Sequence, residues 1–300
     1  MVGKSIFQHL SNLGHEVVGL NRSIVDLQDD RSTQNFLKDT RPKVVIDAAA
    51  KVGGIAANHS YPVEFLTENL MIQSNLMRAS YLAGVEKFVF LGSSCIYPRD
   101  CPQPIKEEYL MTGALEESNS AYAIAKIAGI ELVNSYRKEF GCNWISLMPT
   151  NLYGPGDNFN LASSHVFPAL IRRFIEASAE NLGKVVLWGS GSPRREFLHV
   201  DDLARAVAMV IPEYDGQLHL NVGTGIDISI SDLAHQIAIA TGYTGEILWD
   251  TSKPDGTPRK VLDVSRINAL GWHPTITLEE GIRKTVEWYL LAESEGQVRK

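Results

Sequence analysis

Two titratable side chains that could do chemistry together, Tyr122 and Lys126, lie in the segment SAYAIAKIAG. Residues four positions apart share one face of a helix, so the phenol and the ammonium would be neighbours. A phenol has a pKa of about 10, and a nearby ammonium favours the phenolate. The pair could therefore act as a general acid toward a carbonyl oxygen, although the same spacing is also typical of an exposed helix surface.

Ser93 and Cys95 follow the apolar run FVFLG, which predicts a buried strand. Ligands of open α/β sheets bind at the carboxyl ends of the strands, so Ser93 could hydrogen-bond the same carbonyl oxygen. A free thiol has a pKa of about 8.5 and can serve as a base in an electropositive site. The alternative for Cys95 is a small buried hydrophobic residue, which is the usual role of a cysteine beside a strand.

Several segments spread over nearly the whole chain resemble the extended short-chain dehydrogenase/reductases. They are AAAKVGGI (48–55), LGSSCIYP (91–98), AYAIAKIAG (121–129), MPTNLYGPGDNF (148–159), WGSGSPRREFLHVDD (188–202), NVGTG (221–225) and KPDGTPRK (253–260). The resemblance is strongest to those members that epimerise C3 and C5 and reduce C4 of GDP-4-keto-6-deoxy-D-mannose with NADPH. It therefore implies an NADP(H)-dependent oxidoreductase that is also an isomerase of nucleotide-sugar metabolism.

The resemblance also implies roles for individual residues. Ser93, Tyr122 and Lys126 match the family's catalytic trio. Cys95 matches a base that removes the protons next to the C4 ketone, and His165 matches the proton donor on the opposite face. Without the resemblance, a histidine near a helix start such as His165 would be read as a surface or capping residue.

The predicted cofactor site centres on Arg22, which follows the predicted strand Glu16–Leu20 and the neutral residue Asn21. An enzyme that prefers NAD places an acidic residue at this point, whereas an arginine suits the 2′-phosphate of NADPH. An ordinary loop arginine remains the alternative. The further cofactor-binding residues implied by the resemblance are Gly3, Ala49, Leu91, Tyr122, Lys126, Pro149, Asn151 and Leu152.

The predicted substrate-binding residues are Arg173, Arg195, Lys260 and Trp188. The resemblance places them near the GDP-sugar. The arginine forks suit phosphate oxygens, and Trp188 could pack on a sugar or base. Each cation could instead belong to a solvated surface, and Trp188 to the core.

The elements that must position these residues alternate between apolar runs and amphipathic helices. The run 43–48 reads as a parallel strand buried on both faces, and the runs 87–91 and 143–148 read as further strands. The segment 62–83 reads as a helix, and a second helix begins just after Asn119 and Ser120 and ends at about Phe140. The expected fold class is α/β, a Rossmann-like doubly wound parallel sheet with a smaller α/β substrate domain.

The start of the chain departs from that pattern. A helix is expected at Val2–Asn12, and in a dinucleotide-binding fold such a helix follows a buried strand and a glycine-rich turn. The sequence begins inside that turn, at Gly3. We therefore expect the first strand and most of the glycine loop to be missing from this chain, which would weaken cofactor binding.

The Pro- and Gly-rich segment PTNLYGPGDNF ends the regular alternation of strand and helix. We expect an NADP-binding domain at residues 1–158, truncated at its N-terminus. Residues 159–300 would form mainly the substrate domain, with a segment near 216–242 returning to the first domain.

Composition excludes several classes of protein. The 300 residues carry a formal net charge of −7, which argues against nucleic-acid binding. Three cysteines are too few for a disulfide scaffold or a zinc site, so no metal is expected and a cytoplasmic location fits best. No apolar stretch approaches the length of a membrane span. The resemblance implies a homodimer formed through the helices at 62–83 and 122–140.

Two alternatives stay open. One is a related nucleotide-sugar 4-epimerase or 4,6-dehydratase, against which Cys95, His165 and the KPDGTPRK segment argue. A dehydratase would also favour an acidic residue where this chain has Ser94. The other is a non-catalytic fragment that keeps a nucleotide-sugar surface and lacks a working cofactor site.

Overall fold

The computed structural model describes residues 1–253 and 255–299, and for Ile55 and Ala56 only the backbone. Pro254 of the KPDGTPRK segment, and the side chain of Ile55 in AAAKVGGI, therefore lie outside the described residues. The helices are α1 (Val2–Asn12), α2 (Asp30–Thr40), α3 (Ile55–Ser60), α4 (Pro62–Leu82), α5 (Ser120–Phe140), α6 (Val166–Ala179), α7 (Val200–Glu213), α8 (Ile230–Ala240), α9 (Ser265–Ala269) and α10 (Leu278–Ser294). The strands are β1 (Val44–Asp47), β2 (Lys87–Leu91), β3 (Asn143–Pro149), β4 (Asn151–Tyr153), β5 (Lys184–Trp188), β6 (Arg194–His199), β7 (Leu220–Val222), β8 (Asp227–Ser229), β9 (Glu246–Asp250) and β10 (Arg259–Lys260).

The largest sheet has the order β1-β2-β3-β7, and all its neighbouring strands are parallel. Every residue of β2 is buried, as expected for a parallel strand covered on both faces. Helices α4 and α5 pack on each other, α2 packs on α4, and α1 packs on α7, which also contacts β2. The predicted α/β class with a Rossmann-like parallel sheet is confirmed.

The prediction of a strand at Glu16–Leu20 is wrong. Residues 15–20 form no ladder with any described strand, and β1 has a hydrogen-bonded neighbour only in β2. Val18, in the middle of the apolar run, is 62% exposed. An apolar run becomes a strand only where a partner supplies the backbone hydrogen bonds, and the described residues supply none here.

A second group of strands lies beyond β3. Strands β10, β6 and β4 form one sheet with β8 antiparallel to β6, and β5 pairs with β9. Their apolar residues join α6, α8 and α10 in a separate core. Strand β7 belongs to the first sheet, whereas α8, which follows it, packs in the second core. The boundary at residue 158 stays a prediction.

Within the described residues, none of the helices has the length and apolar character that crossing a bilayer requires.

Candidate active site

The candidate site lies where strands β1, β2 and β3 end. Asp47 is in register with Phe90, and Leu91 with Leu147, so the three carboxyl ends meet at one edge of the sheet. A 3-10 turn at Ser94–Ile96 leaves β2 at this edge. Helix α5, which carries Tyr122 and Lys126, packs against that turn.

Ser93 lies near Tyr122, and its hydroxyl acts to lower the pKa of the Tyr122 phenol. The Ser93 hydroxyl also accepts the backbone N–H of Cys95 at 3.2 Å, which fixes the turn that follows the strand. The pKa of Tyr122 is raised, first because the surrounding protein desolvates the hydroxyl and then by the charge of Cys95. The expected lowering of this pKa by Lys126 is therefore corrected: burial outweighs the charges, and the phenol stays protonated and able to donate.

Lys126 is buried among the strand ends. Its ammonium donates to the carbonyl oxygen of Leu91 at 2.9 Å and lies 6.0 Å from the Tyr122 ring centroid. Burial lowers the pKa of Lys126, and Asp47 partly offsets this. An ammonium has three donors, and only the bond to Leu91 is made within the described chain, so two remain for a ligand such as a ribose hydroxyl.

Asp47 is a functional candidate that the sequence reading missed. The residue is 1% exposed, and its Oδ1 accepts the backbone N–H of Ala49 at 3.1 Å. Oδ2 is buried without a hydrogen-bond partner among the described residues. Burial raises the pKa of Asp47 to about 6, and Lys126 acts against that rise. The signal in the sequence is a single acid at the end of the otherwise apolar run VVID.

Cys95 is half-buried and its thiol is free. The Asn119 amide donates to the Cys95 sulfur at 3.4 Å. Burial lowers the pKa of the Arg195 guanidinium, and the nearby Cys95 charge raises it. Arg195, predicted as a substrate-binding residue, is therefore close enough to the predicted base to feel its charge. The sequence indicates Asn119 only as a residue just before the helix that carries Tyr122.

His165 stands at the N-cap of α6 with its side chain reaching solvent. Its imidazole makes no hydrogen bond in the described part of the chain, and partial desolvation by the surrounding protein lowers its pKa. The residues before it pack on the loop after β1, where the Gly54 N–H donates to the Ser163 carbonyl at 2.9 Å. A Cβ at Gly54 would lie 2.6 Å from the Ser164 carbonyl oxygen, so glycine permits this approach.

The predicted cofactor residues near the start of the chain lie at different places. A Cβ on Gly3 would be 3.8 Å from the Cβ of Ala48, which puts the first turn of α1 beside the loop containing Ala49. Arg22 is exposed and pairs with Glu68 at 3.1 Å. Of the other predicted cofactor-binding residues, Leu91 is the last residue of β2 and Pro149 the last residue of β3. Asn151 and Leu152 lie in β4.

The four predicted substrate residues form two pairs. Lys260 is in register with Arg195 on the β10–β6 ladder. Arg173 on α6 donates to the carbonyl of Val186 in β5 at 3.4 Å, and Trp188 ends that strand. Trp188 is 68% exposed, and the Lys253 ammonium lies 5.7 Å from its ring centroid. Lys253 is a further cation at this end of β5.

Comparisons with known proteins agree on one family. The model of the NAD dependent epimerase/dehydratase family matches residues 1–223. The chain is 50% identical to the putative GDP-L-fucose synthase 2 of Arabidopsis thaliana over 97% of this chain and 89% of the relative. It is 49% identical to the GDP-L-fucose synthase of Escherichia coli (strain K12) over 97% and 94%, respectively. It is also similar to the solved GDP-L-fucose synthetase of Naegleria fowleri bound to NADP, with a TM-score of 0.92 and 31% identity, covering 100% of this chain and 92% of that chain.

Proposed function

Because the chain belongs to the NAD dependent epimerase/dehydratase family, we propose that it is a GDP-L-fucose synthase, which epimerises C3 and C5 of GDP-4-keto-6-deoxy-D-mannose and reduces C4. The enzyme is an oxidoreductase with isomerase activity and its cofactor is NADP(H). One observation carries the proposal: Ser93, Cys95, Tyr122 and Lys126 meet at the edge where three parallel strands end.

Epimerisation requires a base and a returned proton. The C4 ketone acidifies the protons on C3 and C5, because either carbanion is delocalised as an enolate. In the proposed reaction the Cys95 thiolate takes the proton and becomes a thiol, while the electron pair moves to the ketone oxygen. Hydrogen bonds from Ser93 and Tyr122 stabilise that oxygen. The imidazolium of His165 returns a proton on the opposite face, which inverts the carbon.

Reduction uses the same oxygen. NADPH, when bound, supplies the hydride that adds to C4. Tyr122, which burial keeps protonated, donates its proton to the oxygen. The two unused donors of the Lys126 ammonium suit the hydroxyls of a ribose, and the small residues of AAAKVGG let a cofactor approach the backbone. The buried groups at this edge thus fit a nicotinamide nucleotide.

The preference for NADPH rests on Arg22. Its side chain is 71% exposed, and within the described residues Glu68 is its only ion-pair partner. Such an exposed ion pair is weak, so a phosphate can replace the Glu68 carboxylate. Arginine presents a fork of donors that matches phosphate oxygens. We place the 2′-phosphate of NADPH there.

The GDP diphosphate is assigned to the face of β6 and β10 that carries Arg195 and Lys260. Consecutive side chains of a strand point to opposite faces. On one face, Arg194 and Arg259 both pair with Asp227. On the other, Arg195 and Lys260 have no ion pair within the described residues, which leaves two charges for the diphosphate. Arg173 and Trp188 extend this site along β5.

The exposed surface of two helices and the free cysteines support a proposal for the oligomeric state and the cellular location of the enzyme. Helices α4 and α5 leave apolar side chains exposed, among them Val63, Leu82 and Ile124, which supports a homodimer through these helices. A thiolate base must stay reduced, and the three cysteines are all free, which supports a cytoplasmic location.

The test is NADPH oxidation with freshly made GDP-4-keto-6-deoxy-D-mannose, with the product identified by chromatography against GDP-L-fucose. We expect the full chain to form GDP-L-fucose, and Cys95→Ser to lose at least about a hundredfold in deuterium incorporation at C3 and C5 in D2O. A 4-epimerase or dehydratase would consume no NADPH with this substrate. A chain that binds the GDP-sugar and not NADPH would be the non-catalytic fragment.

A further inference from the structure

Asn119 occupies the N-cap position of α5 and does not cap the helix. Asparagine at this position usually accepts a hydrogen bond from a backbone N–H of the first turn. Here the side chain makes no such bond, and its Nδ2 donates to the Cys95 sulfur at 3.4 Å. Its Oδ1 is buried and has no hydrogen-bond partner among the described residues. The Asn119 side chain therefore contacts the Cys95 sulfur and leaves the N-terminus of α5 without a side-chain cap.

Two hydrogen bonds hold Cys95. Its backbone N–H donates to the Ser93 hydroxyl, and its sulfur accepts from the Asn119 amide. A thiolate accepts hydrogen bonds well, whereas a thiol is a weak acceptor, so an N–H donor at the sulfur favours the deprotonated form.

We propose that Asn119 is a positioning residue of the epimerisation step, whose amide N–H holds the Cys95 sulfur in the crevice and favours its thiolate. The inference rests on the proposed function for the identity of the substrate. Asn119 itself exchanges no proton. When the thiolate takes the proton from C3 or C5, the sulfur becomes a thiol, and the bond from Asn119 weakens while the enolate charge appears near Ser93 and Tyr122.

Two substitutions separate this role from a structural one. Asp is as good an N-cap as Asn, so Asn119→Asp keeps the helix start. Its carboxylate has no N–H donor and repels a thiolate. Asn119→Ala removes the donor and introduces a residue that cannot cap a helix. The variants are made in a Cys101→Ser, Cys142→Ser chain, so that Cys95 is the cysteine that a thiol reagent labels.

The first readout is the rate of alkylation by iodoacetamide as a function of pH, which needs no substrate. Since hydrogen bonds to charged groups are strong, we expect the midpoint of the profile to rise by about one pH unit or more in Asn119→Ala, and further in Asn119→Asp. Profiles of both variants that coincide with that of the parent would overturn the proposal. So would an Asn119→Asp profile restored to the parent's, which is the result of a capping role.

The second readout is deuterium incorporation at C3 and C5 of GDP-4-keto-6-deoxy-D-mannose in D2O with NADP⁺ present, where no reduction occurs. We expect Asn119→Asp to lose about tenfold or more, with NADPH affinity within about twofold of the parent. An equal loss of NADPH affinity would contradict a role confined to Cys95. If the parent chain neither exchanges deuterium nor forms GDP-L-fucose, the proposed function fails, and the alkylation profile still decides the role of Asn119.

Discussion

At the scale of single residues, two neighbouring arginines of β6 can be compared directly, because consecutive side chains of a strand point to opposite faces of the sheet. Arg195 is assigned to the substrate diphosphate, whereas Arg194 points to the opposite face and pairs with Asp227 at 2.7 Å. We expect Arg195→Ala to raise KM for the GDP-sugar by about tenfold or more, since charge-assisted hydrogen bonds to phosphate are strong. Steady-state NADPH oxidation over a range of GDP-sugar concentrations measures it.

Arg194→Ala is the matched control. Asp227 keeps its second partner, Arg259, when Arg194 is removed, so little of the local network is lost. We expect KM to change by less than about twofold and the free energy of unfolding by about 1 kcal/mol or less. Equal rises in KM for the two variants would show that the diphosphate does not bind on the Arg195 face.

Residue spacing predicts contacts within one segment better than contacts between segments. Ser93 and Cys95 follow the same strand, and Tyr122 and Lys126 lie one helical turn apart. Local geometry therefore predicts that the two residues of each pair are close to each other. The acid whose charge acts on Lys126 could not be found this way, because Asp47 lies on β1, far from Lys126 in the sequence. Asn119 was missed because spacing along the chain does not show that its side chain contacts Cys95, which lies 24 residues away.

At the scale of elements, the loop after β1 and the start of α6 depend on each other through Gly54. Its φ of −65° is open to any residue, so Gly54→Ala carries no backbone strain. The added Cβ would lie 2.6 Å from the Ser164 carbonyl oxygen, which must move away together with His165. We expect deuterium incorporation into the sugar, which needs the returned proton, to fall by about tenfold or more.

Gly183→Ala controls for the loss of a glycine, because a Cβ there meets no atom within 4 Å. We expect it to leave isotope incorporation within about twofold of the parent chain. Both variants should bind NADPH with similar affinity. Unchanged incorporation in Gly54→Ala would mean that the position of the α6 start does not govern the proton donor.

Whether an element forms depends on its partners as well as its pattern. The runs that became β1, β2 and β3 lie side by side, and each provides the hydrogen bonds that the next one needs. The run at 16–20 has a similar apolar pattern and no ladder partner in the described chain, and Val18 remains exposed. An apolar pattern predicts which face of a segment is buried, and it does not predict which strand will pair with that segment.

At the scale of the whole molecule, the order of elements predicts the sheet more readily than the second group of strands. Alternating strands and helices imply a parallel sheet with right-handed crossovers, which leaves few arrangements for β1, β2 and β3. The short strands β4, β8 and β10 carry two or three residues each, too few for a periodic signal. Their pairing, which brings Lys260 beside Arg195, becomes visible only in the folded chain.

The buried acid Asp47 links the candidate site to the stability of the whole chain. Its pKa is about 6 in the folded state, against about 3.9 in an unfolded chain. The folded state therefore holds the proton more tightly, and stability is lost as pH rises from about 4 to about 6. A two-unit difference corresponds to about 3 kcal/mol, and the opposing effect of Lys126 is already included in it.

We accordingly expect Asp47→Asn to be more stable than the parent at pH 8 and equal to it near pH 4, as measured by urea unfolding at both values. Asn still accepts the Ala49 N–H, so the loop after β1 keeps its anchor. The exposed Asp39→Asn should change stability by less than about 0.5 kcal/mol at either pH. If Asp47→Asn is instead destabilised equally at pH 4 and pH 8, Asp47 stabilises the fold through its contacts. Stabilisation at pH 8 together with slower reduction would show that a carboxylate costly to the fold is kept for its effect on Lys126.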